Sequence, residues 1–394
     1  MRKKVYALAV YPGAVPAGII IKKRCKQMKR QSKKNISSIY GGRKFLQFCA
    51  GHRIICAVTL IILISFSAMS FTGCLQKGAA EQGASASDTA ETGKGTEKIT
   101  VVLDWVPNTN HTGIYAAREL GYYSEEGLDV DIIQPSEGGS PDLIAAGKGQ
   151  FGISYQEQVT YARTADQLLP VVAIAAIISH NTSGFASPVD RGIKTPKDFE
   201  GKRYGGWGSP MEEAMLKGLM EKYGADFSKV GMVNIGASDF FASVSRDVDF
   251  AWIYYGWDGI AAEQKKFPID FMLLQDVDKD LDFYTPVIIA SENTLKENAE
   301  MVKKFLRATG KGYLYAIKNP AAAADILLAS APELDKDIVQ ASQEYLAGQY
   351  TGADGKWGFM DRAIWDTFSA WMYENKLIAR PLDIDKAFTN DFLE

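Results

Sequence analysis

Cysteine and histidine are scarce in this 394-residue chain. All four cysteines, Cys25, Cys49, Cys56 and Cys74, lie in the first 74 residues. The body that follows therefore has no disulfide, no cysteine-ligated metal and no cysteine nucleophile. Of three histidines only His111 and His180 fall in that body, too few for a histidine-rich metal site. Acidic side chains are missing from the front: residues 1–74 hold 14 of the 44 Lys and Arg and no Asp or Glu. The remaining 30 basic residues stand against all 47 acidic ones, a net charge of −17. So acidic a body argues against nucleic acid as a partner. Also missing are G-x-S-x-G, a zinc motif, the dinucleotide fingerprint and a Walker loop. No catalytic residue, metal or cofactor is expected.

What is present begins with a targeting segment. The basic front leads into an apolar run, Ile54 to Phe71, followed at once by "TGCL". A positive region, an apolar region and a small-residue site make a secretory signal over residues 1–73. The run is about 18 residues, enough to span a membrane if uncut. Phe71-Thr72-Gly73-Cys74 resembles a bacterial lipobox, with Phe at the first position where Leu is usual. That resemblance implies cleavage before Cys74 and lipidation of its thiol, and the alternative is an uncleaved N-terminal anchor. Residues 1–50 are long for a signal, and Met28 is a second possible start. Residues 74–97, rich in Gly, Ala, Ser, Thr and Glu and without aromatics, read as a flexible tether.

From Ile99 strand and helix alternate. "ITVVLDW" is a β-branched strand, "TGIYAARELG" an amphipathic helix ending at Gly121, and "LDVDII" a second strand. "QFGIS" and the fully apolar "PVVAIAAII" continue the series, with short helices between. A second unit begins near Asp190, with a capped start at Thr195-Pro196, a strand at 202–205 and a helix over 210–223. Strand and helix in turn predict parallel, doubly wound α/β sheets.

"LDWVPNTNHTGIYAARELGYYSEEGLDVDI" resembles the opening of the SsuA/THI5-like (NMT1) ABC-transporter solute-binding proteins. "LIAAGKGQFGISY" and "TPKDFEGKRYGG" are further marks, although Gln150 stands where many members carry Asp. The resemblance covers residues 98–394. "DWVPNTNH" and "GGWGSPMEEAM" are most similar to the ThiY-type lipoproteins, which bind thiamine-precursor pyrimidines. It implies a two-lobed, type II periplasmic-binding-protein-like fold, each lobe a doubly wound, mainly parallel sheet. Lobe one would hold residues 98–186 and 286–394, and lobe two 187–285. Two hinge segments would cross near Ser183–Asp190 and Tyr284–Pro286.

In that layout ligand binds in the cleft between the lobes, where loops leave the strands' C-terminal ends. A flat heteroaromatic ligand needs stacking faces and a few directed hydrogen bonds. From lobe one the candidates are Asp104, Trp105, Asn108, Asn110 and His111, with Tyr155 and Glu157 after the third strand. His111 has the alternative of capping the following helix. From lobe two they are Trp207, Gly208, Ser209 and Glu212, at a helix start where free backbone N–H groups can hold an oxygen. Tyr255, Trp257 and Asp258, at the end of "AWIYYGW", complete the set. Ser183 and Asp239 to Phe241 are weaker candidates.

The function implied is a monomeric, lipid-anchored binding protein on the outer face of the cytoplasmic membrane, serving an ABC permease and its ATPase. These loops carry Trp, Tyr, Asn and Glu and scarcely a Lys or Arg, which favours a neutral or weakly cationic heterocycle. Riboflavin and an aliphatic sulfonate such as taurine are the alternatives. The rival is the pyrimidine synthase of thiamine biosynthesis, in which a Lys holds pyridoxal phosphate and a His supplies ring atoms. Here Ser154 and Gln158 occupy those two positions, and the synthase's cysteine-rich iron motif is absent. A lipid-anchored adhesin or sensor would instead have a filled or flat cleft.

Overall fold

The computed structural model describes residues 96–135, 139–236 and 238–394. The basic front, the apolar run, Cys74 and the tether up to residue 95 lie outside the described residues. The first strand, β1 (Glu97–Val102), takes in the last residue of the expected tether. It joins β2 (Leu128–Ile133), β3 (Phe151–Ser154), β4 (Val171–Ala176) and the last strand, β10 (Val287–Ser291), in a sheet of order β2-β1-β3-β10-β4. A second sheet has the order β7-β6-β8-β5-β9. Its strands are β5 (Ser183–Pro188), β6 (Arg203–Gly206), β7 (Gly231–Asn234), β8 (Phe250–Tyr254) and β9 (Ile269–Leu273).

Each sheet has one reversed strand, so both are mixed and less parallel than the alternation predicts. β10 runs antiparallel to β3 and β4, and β5 runs antiparallel to β8 and β9. The cause is the crossing itself. Ser183, the first residue of β5, pairs with Tyr254, the last of β8, and Val287 pairs with Ser154 in the same way. A chain that arrives from the other lobe enters at the cleft end and can only run away from it.

The first passage between sheets falls within residues 177–182, so residues 183–186 sit in the second sheet. The two passages are tied to each other. The Asn181 backbone N–H donates to Asp282 Oδ1 (2.9 Å), its side-chain amide to the Leu281 carbonyl (2.8 Å), and His180 Nδ1 lies 2.8 Å from Asp282 Oδ2. Buried Ser183 donates to Asn181 Oδ1 (2.6 Å), which makes it a hinge residue and not a cleft one.

The helices that position the site are α1 (Thr112–Glu119), α2 (Gln156–Thr164), α3 (Pro210–Lys222), α4 (Ala299–Lys318), α5 (Lys336–Ala347) and α6 (Arg362–Glu374). α6 serves both lobes. Its Trp365 packs in the first-lobe cluster with Val287 and Ile289, while Phe368, Trp371 and Met372 pack with Phe185, Phe199 and Phe250 of the second. Part of the segment 286–394, expected in lobe one, therefore completes the core of lobe two. That core stacks Phe199 on Phe250 at 4.3 Å between ring centroids, with Phe185 and Tyr204 edge-on or tilted. Each such aromatic pair adds about 0.5–1.5 kcal/mol beyond its buried area.

The loop after β1 is held by a close helix crossing. α1 and α4 meet at Gly113 and Gly312, where a Cβ on Gly113 would enter the Tyr313 ring and one on Gly312 would strike the Gly113 carbonyl. Tyr313 then reaches the Asn110 carbonyl with its hydroxyl (2.7 Å). Gly113→Ala is expected to cost about 2–3 kcal/mol through overpacking. Gly218→Ala is the control, since its Cβ would meet nothing closer than 3.5 Å. On helix propensity it should gain about 0.5–1 kcal/mol. Thermal unfolding of both variants checks this, and equal melting temperatures would contradict it.

Candidate functional site

In each lobe the parallel strands end on one side, and the loops that follow them line the cleft. Asp104 follows β1. Tyr155 and Glu157 follow β3 at the start of α2, Trp207 follows β6, and Tyr254 ends β8.

Asp104 ties the loop after β1 to the one after β3. Its Oδ2 accepts from the Tyr155 hydroxyl (2.5 Å), and its Oδ1 lies 2.7 Å from His111 Nε2. His111 Nδ1 accepts the Asn108 backbone N–H (3.2 Å), which leaves Nε2 as the nitrogen that donates to Asp104. Burial alone would raise the Asp104 carboxyl, but His111 and Tyr155 outweigh it and hold the group below its ordinary value. Burial, then the Asp104 charge, pushes the Tyr155 phenol well up.

This network reassigns two candidates. His111 is fully buried with both ring nitrogens engaged, so it caps the turn 108–111 and positions Asp104 instead of facing ligand. Asn108 is the N-cap of that turn: its Oδ1 accepts from the Asn110 N–H (2.9 Å), and its amide donates to the Val106 carbonyl (3.0 Å). Trp105, 51% exposed, and the Asn110 amide, unbonded among the described residues, remain free to meet a ligand.

Glu157 has no hydrogen-bond or ion-pair partner among the described residues. Burial, and then the charge of Glu212 on the other lobe, pushes its carboxyl up to about 7. Tyr254 lies in the same field: burial first, then Glu157 and Asp104, raise its phenol. Asp104, Tyr155 and Glu157 of one lobe thus converge with Tyr254 of the other.

The turn after β6 is closed by its own side chain. Glu212 is buried, and its Oε1 accepts from the Tyr204 hydroxyl (2.7 Å) and the Trp207 N–H (3.1 Å). Its Oε2 accepts from the N–H groups of Gly208 and Ser209, both at 2.8 Å. Ser209 returns a capping bond to the Glu212 N–H, with Pro210 at the first helical position of α3. Gly208 is held at φ +87°, and a Cβ there would crowd the Asn234 amide. The backbone N–H groups expected to hold a ligand oxygen are therefore taken, and Glu212 has no acceptor atom to spare for an aminopyrimidine. Trp207 alone of this set keeps a free face: it is 45% exposed and lies 5.3 Å from Trp252.

Three candidates lie apart from this group. After β8 the chain enters a π-helical turn, Tyr255–Gly259, which packs against α5. Tyr255 packs between Phe271 and Tyr345 with its hydroxyl on Glu263, and Trp257 rests on the cluster of Tyr115, Leu327 and Val339. Asp258 faces Asp239, and burial, then that charge, raises it to about 6. Asp239 caps the helix Phe240–Arg246, whose Phe240 is core and whose Phe241 packs on Phe240 and Phe267. Sequence reasoning missed Tyr254. Strand alternation puts it on the face of Trp252, and the strand's end point at Tyr254 brings it to the cleft.

Ser154 and Gln158 bond to each other, hydroxyl to amide oxygen at 2.9 Å. Neither can form a Schiff base. No group of three or more His, Cys, Asp or Glu placed to hold a metal ion occurs among the described residues.

A family model described as NMT1/THI5 like matches residues 108–323. The chain is 28% identical over 319 residues to a protein of Halalkalibacterium halodurans named formylaminopyrimidine-binding protein, a match spanning 77% of this chain and 93% of that one. It is 25% identical over 304 residues to the 4-amino-5-hydroxymethyl-2-methylpyrimidine phosphate synthase of Legionella pneumophila, spanning 75% and 92%. Among solved structures it is similar to the periplasmic sulfonate-binding protein SsuA from Methylobacillus flagellatus, with a TM-score of 0.57 at 17% identity over 76% of this chain and 93% of that one. This likeness shows the fold, the two-lobed architecture of periplasmic binding proteins.

Proposed function

Because the chain belongs to the NMT1/THI5-like family, we propose that it is a solute-binding lipoprotein of an ABC importer that holds a thiamine-precursor pyrimidine between its lobes. The ligand is of the formylaminopyrimidine or hydroxymethylpyrimidine type. Cys74 carries the lipid, the domain works outside the cell membrane, and the ligand passes to a permease driven by its ATPase. The observation that carries the reading is Glu157, a partly buried carboxyl with no hydrogen-bond or ion-pair partner among the described residues, beside Tyr254 and Asp104. An amino group or protonated ring nitrogen satisfies such a group, and a sulfonate is repelled by it. Trp105 and Trp207 offer one exposed aromatic face from each lobe for the ring. The occupied turn at Glu212 also speaks against an anion. Against a synthase stand Ser154 and Gln158, which supply neither an amine nor an imidazole.

Calorimetric titration with formylaminopyrimidine, hydroxymethylpyrimidine, thiamine, riboflavin and taurine tests this. One of the two aminopyrimidines should bind tightest. Tightest binding of taurine would reverse the charge argument, and pyrimidine formation with pyridoxal phosphate would make the protein an enzyme.

A further inference from the structure

Besides the two crossings and the shared helix α6, the lobes meet where the π-helical turn Tyr255–Gly259 of lobe two lies against α5 of lobe one. Tyr255 rests on Tyr345, with ring centroids 5.3 Å apart, and its backbone N–H donates to the Thr182 carbonyl (3.1 Å) in the first crossing. Glycine makes the approach close. A Cβ on Gly256 would stand 2.8 Å from Leu346 Cδ2 and 3.2 Å from its Cγ, and Leu346 is buried in the core of lobe one. A Cβ on Gly259 would enter the Tyr255 ring.

Ser342 sits one helical turn before Leu346 on α5 and is fully buried. Its hydroxyl donates to the Gly256 carbonyl and lies 2.6 Å from the Thr109 hydroxyl. A carbonyl can only accept, and a serine has one proton to give. Ser342 therefore gives that proton to Gly256 and accepts from Thr109. The Thr109 carbonyl in turn accepts from the Tyr350 hydroxyl (2.7 Å). Thr109, Ser342 and Gly256 are all buried. Both ends of this relay belong to the cleft walls. Thr109 stands beside Asn110 in the turn that also holds His111, and Gly256 follows Tyr254 by two residues.

We propose that Ser342 is a positioning residue of the binding site: its hydroxyl, held between Thr109 and Gly256, fixes the separation of the two cleft walls without touching ligand. The turn lies next to the crossing, so a small shift there swings the far rim of lobe two by more. A bond lost at this joint also leaves buried partners unpaired, the costly side of any hydrogen bond. The lobes would then spend less time at the closed separation, and ligand would leave faster. The inference rests on the interlobe cleft as the binding site and not on which heterocycle fills it.

The test uses the full chain with Ser342→Ala, Thr109→Val and Thr109→Ser. It reads hydrogen exchange without ligand, and binding of formylaminopyrimidine and of riboflavin. Ser342→Ala and Thr109→Val should each speed exchange about tenfold over residues 109–112 and 255–259. Exchange in β4 and β6 should hold, which a general loss of stability would not allow. Affinity for whichever compound the wild type binds should fall about tenfold, mostly as faster release. Thr109→Ser keeps the hydroxyl and should restore both readings. Gly256→Ala should act like Ser342→Ala, since its methyl drives the turn off Leu346. Unchanged exchange at the joint, or exchange raised evenly through the chain, would overturn the positioning role. Faster exchange at the joint with affinity unchanged would overturn it too. If riboflavin binds and the pyrimidine does not, the same loss with riboflavin upholds the joint while the pyrimidine reading falls. If the wild type binds neither, the exchange pattern alone decides the joint, and the pyrimidine reading falls.

Discussion

Glu212→Ala is expected to remove roughly 3–5 kcal/mol of stability, more than any other change in the cleft. The carboxylate accepts from one phenol and three backbone N–H groups inside a single turn. Removing it strands one buried donor, the Tyr204 hydroxyl, and three partly buried backbone N–H groups at once. Each carries its own desolvation cost, and no nearby acceptor is placed to replace the lost one. The turn also holds Gly208 in a left-handed conformation that the carboxylate fixes. Its loss should therefore disorder Trp207 along with the backbone. Glu212→Gln should cost less, because the amide oxygen keeps one side of the arrangement while the amide nitrogen meets N–H groups head-on. Urea unfolding with both variants orders them, and Trp207 fluorescence in the folded state reports the turn. An alanine variant within about 0.5 kcal/mol of wild type, the spread of ordinary surface changes, would show that the turn does not depend on the carboxylate.

The second large effect is a change in pH dependence at Glu157. Its carboxyl titrates near 4.5 in the unfolded chain and at about 7 in the folded one. Between those values the folded state keeps a proton that the unfolded state has lost. Stability therefore falls as pH rises through that window and stays lower above it. Glu157→Gln removes the slope. The variant should match wild type near pH 4 and exceed it at pH 8 by up to about 3 kcal/mol. Asp104 acts in the opposite sense: its lowered carboxyl supports the fold above the ordinary carboxylate range, and that support is lost as pH falls through the lowered value. Denaturant midpoints from about pH 2 to 9 resolve the two. The same Glu157→Gln variant should lose roughly 10- to 100-fold in affinity for an aminopyrimidine, as expected when a charged acceptor becomes a neutral one. A more stable protein that binds worse is what a functional, unsatisfied carboxyl predicts, and parallel profiles for the two proteins would refute it.

The elements were legible because their signals are local. β-branched runs, Gly121 at a helix end and the Thr195-Pro196 start all stand where periodicity and capping put them. Strand direction was not, because the reversal of β5 and β10 follows from where the chain enters a sheet, which no local pattern records. At the site, residue type located the right loops but not the right roles. Asp104, Tyr155 and Glu157 converge, whereas His111 and Glu212 turn inward to hold those loops in shape. A capping histidine and a ligand-binding one look alike in sequence, since only the neighbouring backbone decides which nitrogen is free. Tyr254 and Tyr255 show the same limit: the π-helical turn after the strand sends the two adjacent phenols to different surroundings.

The shared helix α6 also bears on how the protein can be made. Phe368, Trp371, Met372 and Ile378 finish a core whose other residues begin at Phe185. The first sheet, for its part, lacks a strand between β3 and β4 until Val287–Ser291 has appeared. A chain that emerges from its N-terminus thus has neither hydrophobic core complete until almost all of it is out. Completion of both lobes is therefore tied to the same late-arriving segment.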